Sequence, residues 1–242
     1  FKKKSFYFIL VIVLAIVGYS VYVKVMNERY DSSKEGDIAS AAVEMEEITG
    51  RDDIYSAYLE RHKDAIKPDH EIAIDVMNFS SAEMSEAYSE YQGRNHVIVT
   101  QEDGYVEWDV EIPEAGLYNI SMDYYPIEGR GIDIERILYI NGEMPFAGAD
   151  TLTFTRVWTD GGEIKLDNRG NEIRPSQVEE PRWESTYLKD YMGYFVEPYS
   201  FYFNEGKNTI RIEAASEDMA ISNVLIHQKE ELLSYDDYID SF

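Results

Sequence analysis

The chain contains no cysteine, which excludes disulfide bridges, a thiol nucleophile and a cysteine-based zinc site. Histidine is scarce, and no two histidines stand four residues apart, the spacing with which a helix presents two metal ligands. The sequence has no glycine-rich phosphate loop before a helix and no Gly-x-Ser-x-Gly nucleophile turn. We therefore expect a protein that is not an enzyme.

Positive charge is also scarce. The chain has 22 lysines and arginines against 47 aspartates and glutamates, a net charge of −25. A field of that sign repels phosphate backbones and anionic lipid headgroups, so we expect no nucleic-acid partner. A solvated acidic surface is enough to explain the excess, and binding of cations is the alternative.

The first 26 residues predict a membrane-spanning signal anchor. Three lysines, Lys2–Lys4, precede an apolar run over Phe6–Val23, and eighteen residues at 1.5 Å each reach about 27 Å, enough to cross a bilayer. The alternative is a cleaved signal peptide, with Gly18 and Ser20 as small residues before the cut. Lysines stay inside, so the rest of the chain is expected outside the cell membrane, tethered or secreted.

Residues 27–67 predict an acidic tether with helical segments. The part from Ile38 to Ile48 is expected to be partly helical. From Arg51 to Lys67 the apolar positions recur at helical spacing, which predicts a short amphipathic helix that ends before Pro68 and packs on a neighbouring domain. At the other end, residues 231–242 are expected to be a tail or linker.

Residues 68–230 predict a mainly β domain. Tyr105–Ile112 alternates apolar and polar residues, as expected for a strand with one buried face. Asn141-Gly142 is a strong hairpin signal. Eight or more strands without intervening helices predict an antiparallel β-sandwich. The other expected strands are 71–76, 96–100, 117–125, 136–140, 154–158, 199–203, 209–214 and 220–227.

One long segment, Asp167–Ser200, interrupts this pattern. It is far longer than the usual connection of about 4–6 residues, so it is expected to be functional or disordered. Its aromatic residues argue against disorder, because disordered chains carry few apolar side chains. Rings and charges on a loop held by a β-scaffold favour a binding surface.

Three segments resemble the galactose-binding-like β-sandwich, a jelly roll. They are Gly104–Tyr125, Arg136–Glu143 and Asn204–Ala214, and they are similar in particular to carbohydrate-binding modules of families 6 and 35. The resemblance implies carbohydrate binding. It also implies a structural Ca²⁺ near the first strand, for which Asp75 and Asn223 are the candidate ligands.

Four further segments resemble the amino-terminal region of extracellular solute-binding proteins of Gram-positive sugar ABC importers. They are Tyr124–Gly131, Ile134–Phe146, Thr155–Asp160 and Gly170–Trp183. The resemblance implies a role in sugar uptake, with a solute-binding domain or ABC permease as partner. It implies that this chain is the amino-terminal piece of such a protein or a relative without the solute-binding lobes.

Carbohydrate modules lay aromatic rings against pyranose faces and bind the hydroxyls with carboxylates, amides and arginines. The candidate rings here are Trp183, Tyr187, Tyr191 and Tyr194, and the candidate polar partners are Arg182, Glu184, Asp190 and Asn171. Trp158 is expected to pack in the sandwich instead, on one face with Phe154 and Arg156.

Two alternatives stay open. The aromatic loop could dock onto a protein partner without binding sugar. A glycosidase would need two carboxylates about 5–10 Å apart across a cleft, for which Glu184 and Asp190 are one candidate pair. Because any acidic protein offers many such pairs, the interpretation we favour is a non-catalytic module that binds carbohydrate outside the membrane.

Overall fold

The computed structural model describes residues 54–230, together with Tyr19, Lys24 and Ile239. Apart from these three residues, the predicted anchor over 1–26 and the tail over 231–242 lie outside the described residues, as does the predicted tether up to residue 53 with its helical part at 38–48. Among the residues that are described, no helix has both the length and the apolar character needed to cross a bilayer.

Residues 54–230 contain one α-helix, one 3₁₀ turn and fourteen strands. The helix is α1 (Tyr55–Arg61), and the 3₁₀ turn is Ala147–Asp150. The strands are β1 (Ile72–Ile74), β2 (Ser81–Tyr91), β3 (Arg94–Ile112), β4 (Gly116–Pro126), β5 (Ile134–Ile140), β6 (Leu152–Phe154), β7 (Trp158–Asp160), β8 (Lys165–Leu166), β9 (Glu172–Ile173), β10 (Gln177–Glu179), β11 (Glu184–Tyr187), β12 (Phe201–Phe203), β13 (Gly206–Ser216) and β14 (Met219–His227).

Ten strands form one antiparallel sheet that branches at β3. Residues Ile98–Thr100 of β3 pair with β14, which continues to β4 and β11. Residues Tyr105–Ile112 of the same strand pair with β13, which continues to β5 and β6. The strands β1, β12 and β2 join β14, β4 and β3. The sheet therefore has two arms that diverge between Thr100 and Tyr105.

The two arms face each other across a common core. The ring of Tyr124 on β4 lies 5.0 Å from that of Phe154 on β6, and its hydroxyl donates to the carbonyl of Thr155. Trp108, fully buried on β3, donates from Nε1 to the Val76 carbonyl. Burial of each large side chain contributes about 1.5–3 kcal/mol. The structure thus confirms the prediction of a mainly β, antiparallel fold, and its two layers enclose the apolar faces of the alternating strands.

The Asn141-Gly142 turn is confirmed. Both residues have positive φ, 53° and 80°, as a tight hairpin turn requires, and the bridge between Ile140 and Glu143 closes it. The amide of Asn141 also bonds to Asn208, and its side-chain oxygen accepts from the backbone N–H of Thr209. The turn is therefore fastened to the neighbouring strand.

Helix α1 packs on the domain through two tyrosines. Tyr55 and Tyr58 are buried, and their hydroxyls accept hydrogen bonds from the backbone N–H groups of Ser200 (2.8 Å) and Tyr202 (2.6 Å). Strand β12 pairs with β4 along one edge, and these hydroxyls serve the opposite edge. The predicted packing of this helix is confirmed.

The prediction that the helix extends to Lys67 is wrong. It ends at Arg61, and the Ile66 carbonyl accepts from the Leu117 N–H instead of continuing a helix. Gly116 lies so close to Pro68 that no side chain would fit there. Contact with β4 thus holds the chain in a non-helical conformation at Ile66 and Pro68, so the helix ends earlier than the spacing of apolar residues predicts.

The interpretation of 167–200 as one loop without strands is also wrong. Three strands lie in it: β9 pairs with β8, β10 pairs with β7, and β11 joins β4 in the large sheet. These strands are short and largely polar, so they lack the alternation by which longer strands are recognised. The expected single strand 154–158 is divided as well, because β6 ends at Phe154 and β7 starts at Trp158.

Candidate functional site

A row of aromatic rings crosses the outer surface of the arm that contains β4. We call it the ring row, and it consists of Tyr88, Tyr91, Tyr125 and Trp183. Successive ring centroids lie 5.5, 6.0 and 5.5 Å apart. Strand alternation explains the position of Tyr125, because its neighbour Tyr124 points into the core. All four rings are half-buried, so part of each faces solvent.

Trp183 is fixed within this row by three contacts. Its Nε1 donates to the Gln92 carbonyl (3.0 Å), Tyr125 lies at one side, and the Arg94 guanidinium lies 4.7 Å from its ring centroid. Arg94 in turn pairs with Asp123 at 2.5 Å and donates to the Ser222 hydroxyl at 3.0 Å. A cation over a tryptophan ring contributes about 0.5–2 kcal/mol. The ring is therefore held in one orientation beside a polar group of three side chains.

Tyr187 lies on the same surface. The β11–β4 register sets Ser185 opposite Asp123 and Tyr187 opposite Ser121. The Tyr187 ring stacks on His227 at 5.3 Å, and the imidazole Nε2 lies 2.9 Å from the Ser121 hydroxyl. Trp183 and Tyr187 are thus about 13 Å apart along an extended segment, on one outward face.

Tyr191 and Asp190 lie elsewhere, in what we call the loop groove. This groove runs between segment 189–196 and strands β4, β6 and β11, and has a volume of about 410 Å³. The Tyr191 hydroxyl donates to Asp133 at 3.2 Å. Asp190 accepts from the backbone N–H groups of Met192 and Phe195, both at 3.0 Å, and so shapes the loop itself. The hydroxyls of Thr153, Thr155 and Thr186 and the ammonium of Lys189 also line the groove.

The remaining predicted residues do not join these two surfaces. Tyr194 stands at the loop tip with 80% of its surface exposed. Arg182 and Glu184 form an ion pair with each other at 2.5 Å. Asn171 belongs to the β8–β9 turn, where its amide bonds to Asp167 and holds the pKa of that carboxyl below its ordinary value. The predicted site residues are therefore divided between two surfaces. Trp183 and Tyr187 lie on the outward face of the sheet, whereas Asp190 and Tyr191 lie in the loop groove.

The expectation that Trp158 packs inside the sandwich is wrong. Phe154 and Arg156 do point inward and are buried, but β7 leaves the large sheet to pair with β10. As a result 46% of the Trp158 surface is exposed, and the ring lies against Gly131. Divergence of a strand from its sheet is not visible in the local pattern of residues.

Sequence analysis missed Tyr88, Tyr91, Tyr125 and Arg94. The segment SAEMSEAYSEY, now β2, contains no clear alternation and reads as polar. The available signal was its two tyrosines, three residues apart and followed by Gln92-Gly93, because a pair that ends in glycine can form a two-residue hairpin turn. In the structure both turn residues have positive φ, as such a turn requires. The hairpin places Arg94 of β3 opposite Tyr91 of β2, near the rings of Tyr125 and Trp183.

The candidate calcium ligands offer few oxygens. Asp75 follows β1, which pairs antiparallel with β14 so that Ile74 faces Val224, and Asn223 immediately precedes Val224 in β14. Asp75 already accepts from the Met77 N–H at 3.1 Å. Within the described residues no three His, Asp or Glu side chains group as metal ligands, whereas Ca²⁺ takes about six to eight oxygens. The calcium site stays a prediction.

No protein-family model matches the chain, and no curated protein matches it. Among solved structures, a family 35 carbohydrate-binding module from Clostridium thermocellum is similar, with a TM-score of 0.39 and 14% identity, over 66% of this chain and 99% of the module. The Podospora anserina GH26-CBM35 β-(1,4)-mannanase has a TM-score of 0.39 and 13% identity, over 70% of this chain and 30% of the enzyme.

A third similar structure is the C-terminal CBM6 of the laminarinase LamC from Zobellia galactanivorans. It has a TM-score of 0.38 and 11% identity, over 66% of this chain and 100% of the module. With TM-scores and identities this low, the three similarities assign neither a ligand nor a function to this chain.

Proposed function

We propose that this protein binds carbohydrate without catalysis, on the sheet surface that carries the ring row. The observation that supports the proposal most is the position of Trp183, which Arg94, Tyr125 and the Gln92 carbonyl hold at the end of four adjoining rings. A ring fixed before binding loses little conformational entropy when a ligand covers it. Rigid aromatic surface beside charged groups suits a ligand with one apolar face and many hydroxyls.

The neighbouring polar groups supply both donors and acceptors. Arg94 offers guanidinium N–H groups, Asp123 a carboxylate, and Ser222 a hydroxyl, all linked to one another. Farther along the surface, Ser121 and His227 form a second linked pair. In this arrangement a sugar lies across the rings, which displaces water from its C–H face, and its hydroxyls exchange bonds with these side chains.

Binding of this kind needs no acid or base. Glu184, one member of the glycosidase pair considered above, is paired with Arg182, and Asp190 accepts two loop amides. No contact among the described residues places the two carboxylates opposite each other across a cleft, and the ring row itself contains no pair of carboxylates. The proposal is therefore recognition alone.

The wider setting is also proposed. The galactose-binding-like jelly roll, the place in a sugar ABC uptake system and the tether to the outer side of the cell membrane rest on the sequence resemblances and on residues 1–26. The structural Ca²⁺ at Asp75 and Asn223 belongs with them. Each is a separate proposal, and sugar binding by the ring row depends on none of them.

A glycan array probed with the full chain tests the proposal. The unchanged protein should bind one class of glycans, and Trp183→Ala should weaken that binding at least tenfold, because it removes the fixed ring. Tyr194→Ala is the matched control, since it removes a more exposed ring outside the row. An array without signal, or equal loss in both variants, would refute binding by the ring row.

A second candidate function is docking onto a protein, in line with the alternative that the sequence leaves open. The loop tip exposes Met192, Tyr194 and Val196 at 70, 80 and 88% of their surfaces. Apolar tips of this kind are common at protein interfaces. A photo-crosslinking residue at position 194 should then join the chain to a solute-binding protein or ABC permease in intact cells. Crosslinks to neither partner would exclude this alternative.

A further inference from the structure

Trp158 lines a separate pocket, which we call the Trp158 pocket. The pocket has a volume of about 390 Å³, within the range of about 300–1,000 Å³ of small-molecule sites. Its ring lies over Gly131, whose φ is 76°. A Cβ there would lie 3.4 Å from the edge of the indole, an ordinary contact distance, so it is the positive φ and not a lack of space that favours glycine. Glu128, Arg130, Val178, Glu179 and Pro181 also line the pocket.

The loop beside this pocket is fixed by a buried carboxylate. The side chain of Glu217 is 3% exposed, and its Oε1 accepts from Arg130 Nε at 2.6 Å. Its Oε2 accepts from the Arg130 backbone N–H at 2.9 Å and from Arg156 Nη2 at 2.7 Å. A side chain at Gly129 would collide with Oε2, so only glycine lets the loop lie on the carboxylate. Glu217 thus holds the backbone of 129–130 directly.

Arg156 fixes the other parts of the rim. Its side chain is fully buried and donates to the carbonyls of Ile127 (2.8 Å) and Ile132 (2.6 Å), on either side of the same loop. It also pairs with Glu179 on β10, across the pocket. Burying charged groups costs several kcal/mol each unless they are well paired. This network therefore keeps the exposed indole between loops that do not need to rearrange when a ligand enters.

The charges at the rim select the class of ligand. Arg130 remains largely exposed although its Nη2 pairs with Glu102 at 3.0 Å, and its guanidinium disfavours a cation over the indole. The carboxylates of Glu128 and Glu179 line the same pocket and disfavour a phosphate or another anion. A neutral ligand with one apolar face and several hydroxyls can stack on the indole, accept from Arg130 and donate to the carboxylates. Among common biological ligands, a pyranose meets these conditions.

We propose that the Trp158 pocket is a second carbohydrate subsite that takes one pyranose unit, with Trp158 as the stacking surface and Arg130 as the main donor. The inference deepens the proposed function, but it concerns different residues from the ring row. The two surfaces share no side chain. Each should bind a short sugar by itself.

Tryptophan fluorescence separates the two surfaces. The chain has three tryptophans, and Trp108 is fully buried. In Trp183→Phe the remaining accessible reporter is therefore Trp158. Titration of this full-length variant with a panel of methyl α- and β-pyranosides should shift or quench its emission in a saturable way. The double variant Trp158→Phe/Trp183→Phe, with an unchanged melting temperature, should show no response.

Each outcome is decisive for this subsite. A saturable response of Trp183→Phe that Arg130→Lys weakens at least fivefold supports it. No response to any pyranoside, while the unchanged protein binds glycans through Trp183, overturns the second subsite and leaves the proposed function standing. A response of Trp183→Phe to choline or to inorganic phosphate, without one to pyranosides, also overturns it. If Trp158 responds but loss of Trp183 does not affect the glycan array, the ring row fails instead and the subsite stands.

Discussion

Arg156 and Glu217 form an ion pair that is almost completely withdrawn from solvent: Nη2 and Oε2 are 2.7 Å apart, and the side chains are 0 and 3% exposed. They come from the segment between β6 and β7 and from the β13–β14 turn, which are distant in sequence. Glu217 adopts a positive φ of 59°, unusual for a residue with a side chain. A strained backbone at a buried carboxylate is retained when the surrounding contacts depend on it.

Removing this carboxylate should be costly. Glu217→Ala leaves the Arg156 guanidinium buried with one acceptor fewer, so the free energy of unfolding should fall by about 3–5 kcal/mol. Urea denaturation measures the change. Glu213→Ala is the control, because its pair with Arg211 is partly exposed, and it should cost at most about 1 kcal/mol. Equal losses in the two variants would contradict the assignment of Glu217 as the centre of the network.

Stability should also depend on acid through this residue. Burial raises the pKa of Glu217, but the hydrogen bonds from Arg130 and the charge of Arg156 outweigh it and hold the pKa below its ordinary value of 4.5. The resulting stability is complete above pH 4.5 and is lost as pH falls through the lower, folded-state pKa. The difference in unfolding free energy between the unchanged protein and Glu217→Gln should therefore shrink below about pH 4.5. A difference that stays constant from pH 7 to pH 3 would show that folding does not lower the pKa of Glu217.

Gly129→Ala should disturb the ion pairs of Glu217 by adding a side chain to the loop that lies on its carboxylate. The added methyl would meet Glu217 Oε2, which two arginines hold in position, so we expect a loss of about 1–3 kcal/mol. Gly162→Ala is the matched control, because nothing lies within 4 Å of the added Cβ. Thermal unfolding of both variants measures the difference. A variant at position 129 as stable as the control would mean that the loop moves freely.

Tyr58→Phe should loosen helix α1 from β12. The variant leaves the Tyr202 N–H without the acceptor that lies 2.6 Å away, which costs about 1–3 kcal/mol. Burial raises the pKa of the Tyr58 hydroxyl to about 12, so the group is neutral at pH 7 and the effect should not change between pH 6 and pH 9. Amide hydrogen exchange at Tyr202 should accelerate. Tyr88→Phe, whose hydroxyl bonds to exposed Glu86, should leave that exchange unchanged.

The strands could be predicted from the sequence wherever one of their faces is buried against the core. Tyr105–Ile112 shows this most clearly, because its apolar residues alternate and all face inward. β2 was missed since it is a polar strand at the margin of the sheet, where neither face must be apolar. β11 was missed because four residues are too few to show a period.

The candidate site was only partly predictable for a related reason. Residue type and position in a long segment indicated that Trp183, Tyr187 and Tyr191 belong to a binding surface. Which of them share a face depends on the pairing of β11 with β4, which turns Trp183 and Tyr187 outward. The chain after β11 then forms one side of the loop groove. Long-range pairing of this kind leaves no mark within the segment. The prediction that Trp158 is buried is wrong for the same reason, because the exposure of its ring follows from the pairing of β7 with β10.

The two tyrosines of α1 also decide where this domain begins. They supply the acceptors for the outer amides of β12, so a shortened chain that starts at Glu71 would leave those amides bare. An edge strand with unpaired N–H groups can pair with a strand of another molecule, so the truncated protein should self-associate. We therefore expect the segment before the first strand to limit aggregation, and a soluble fragment should retain it.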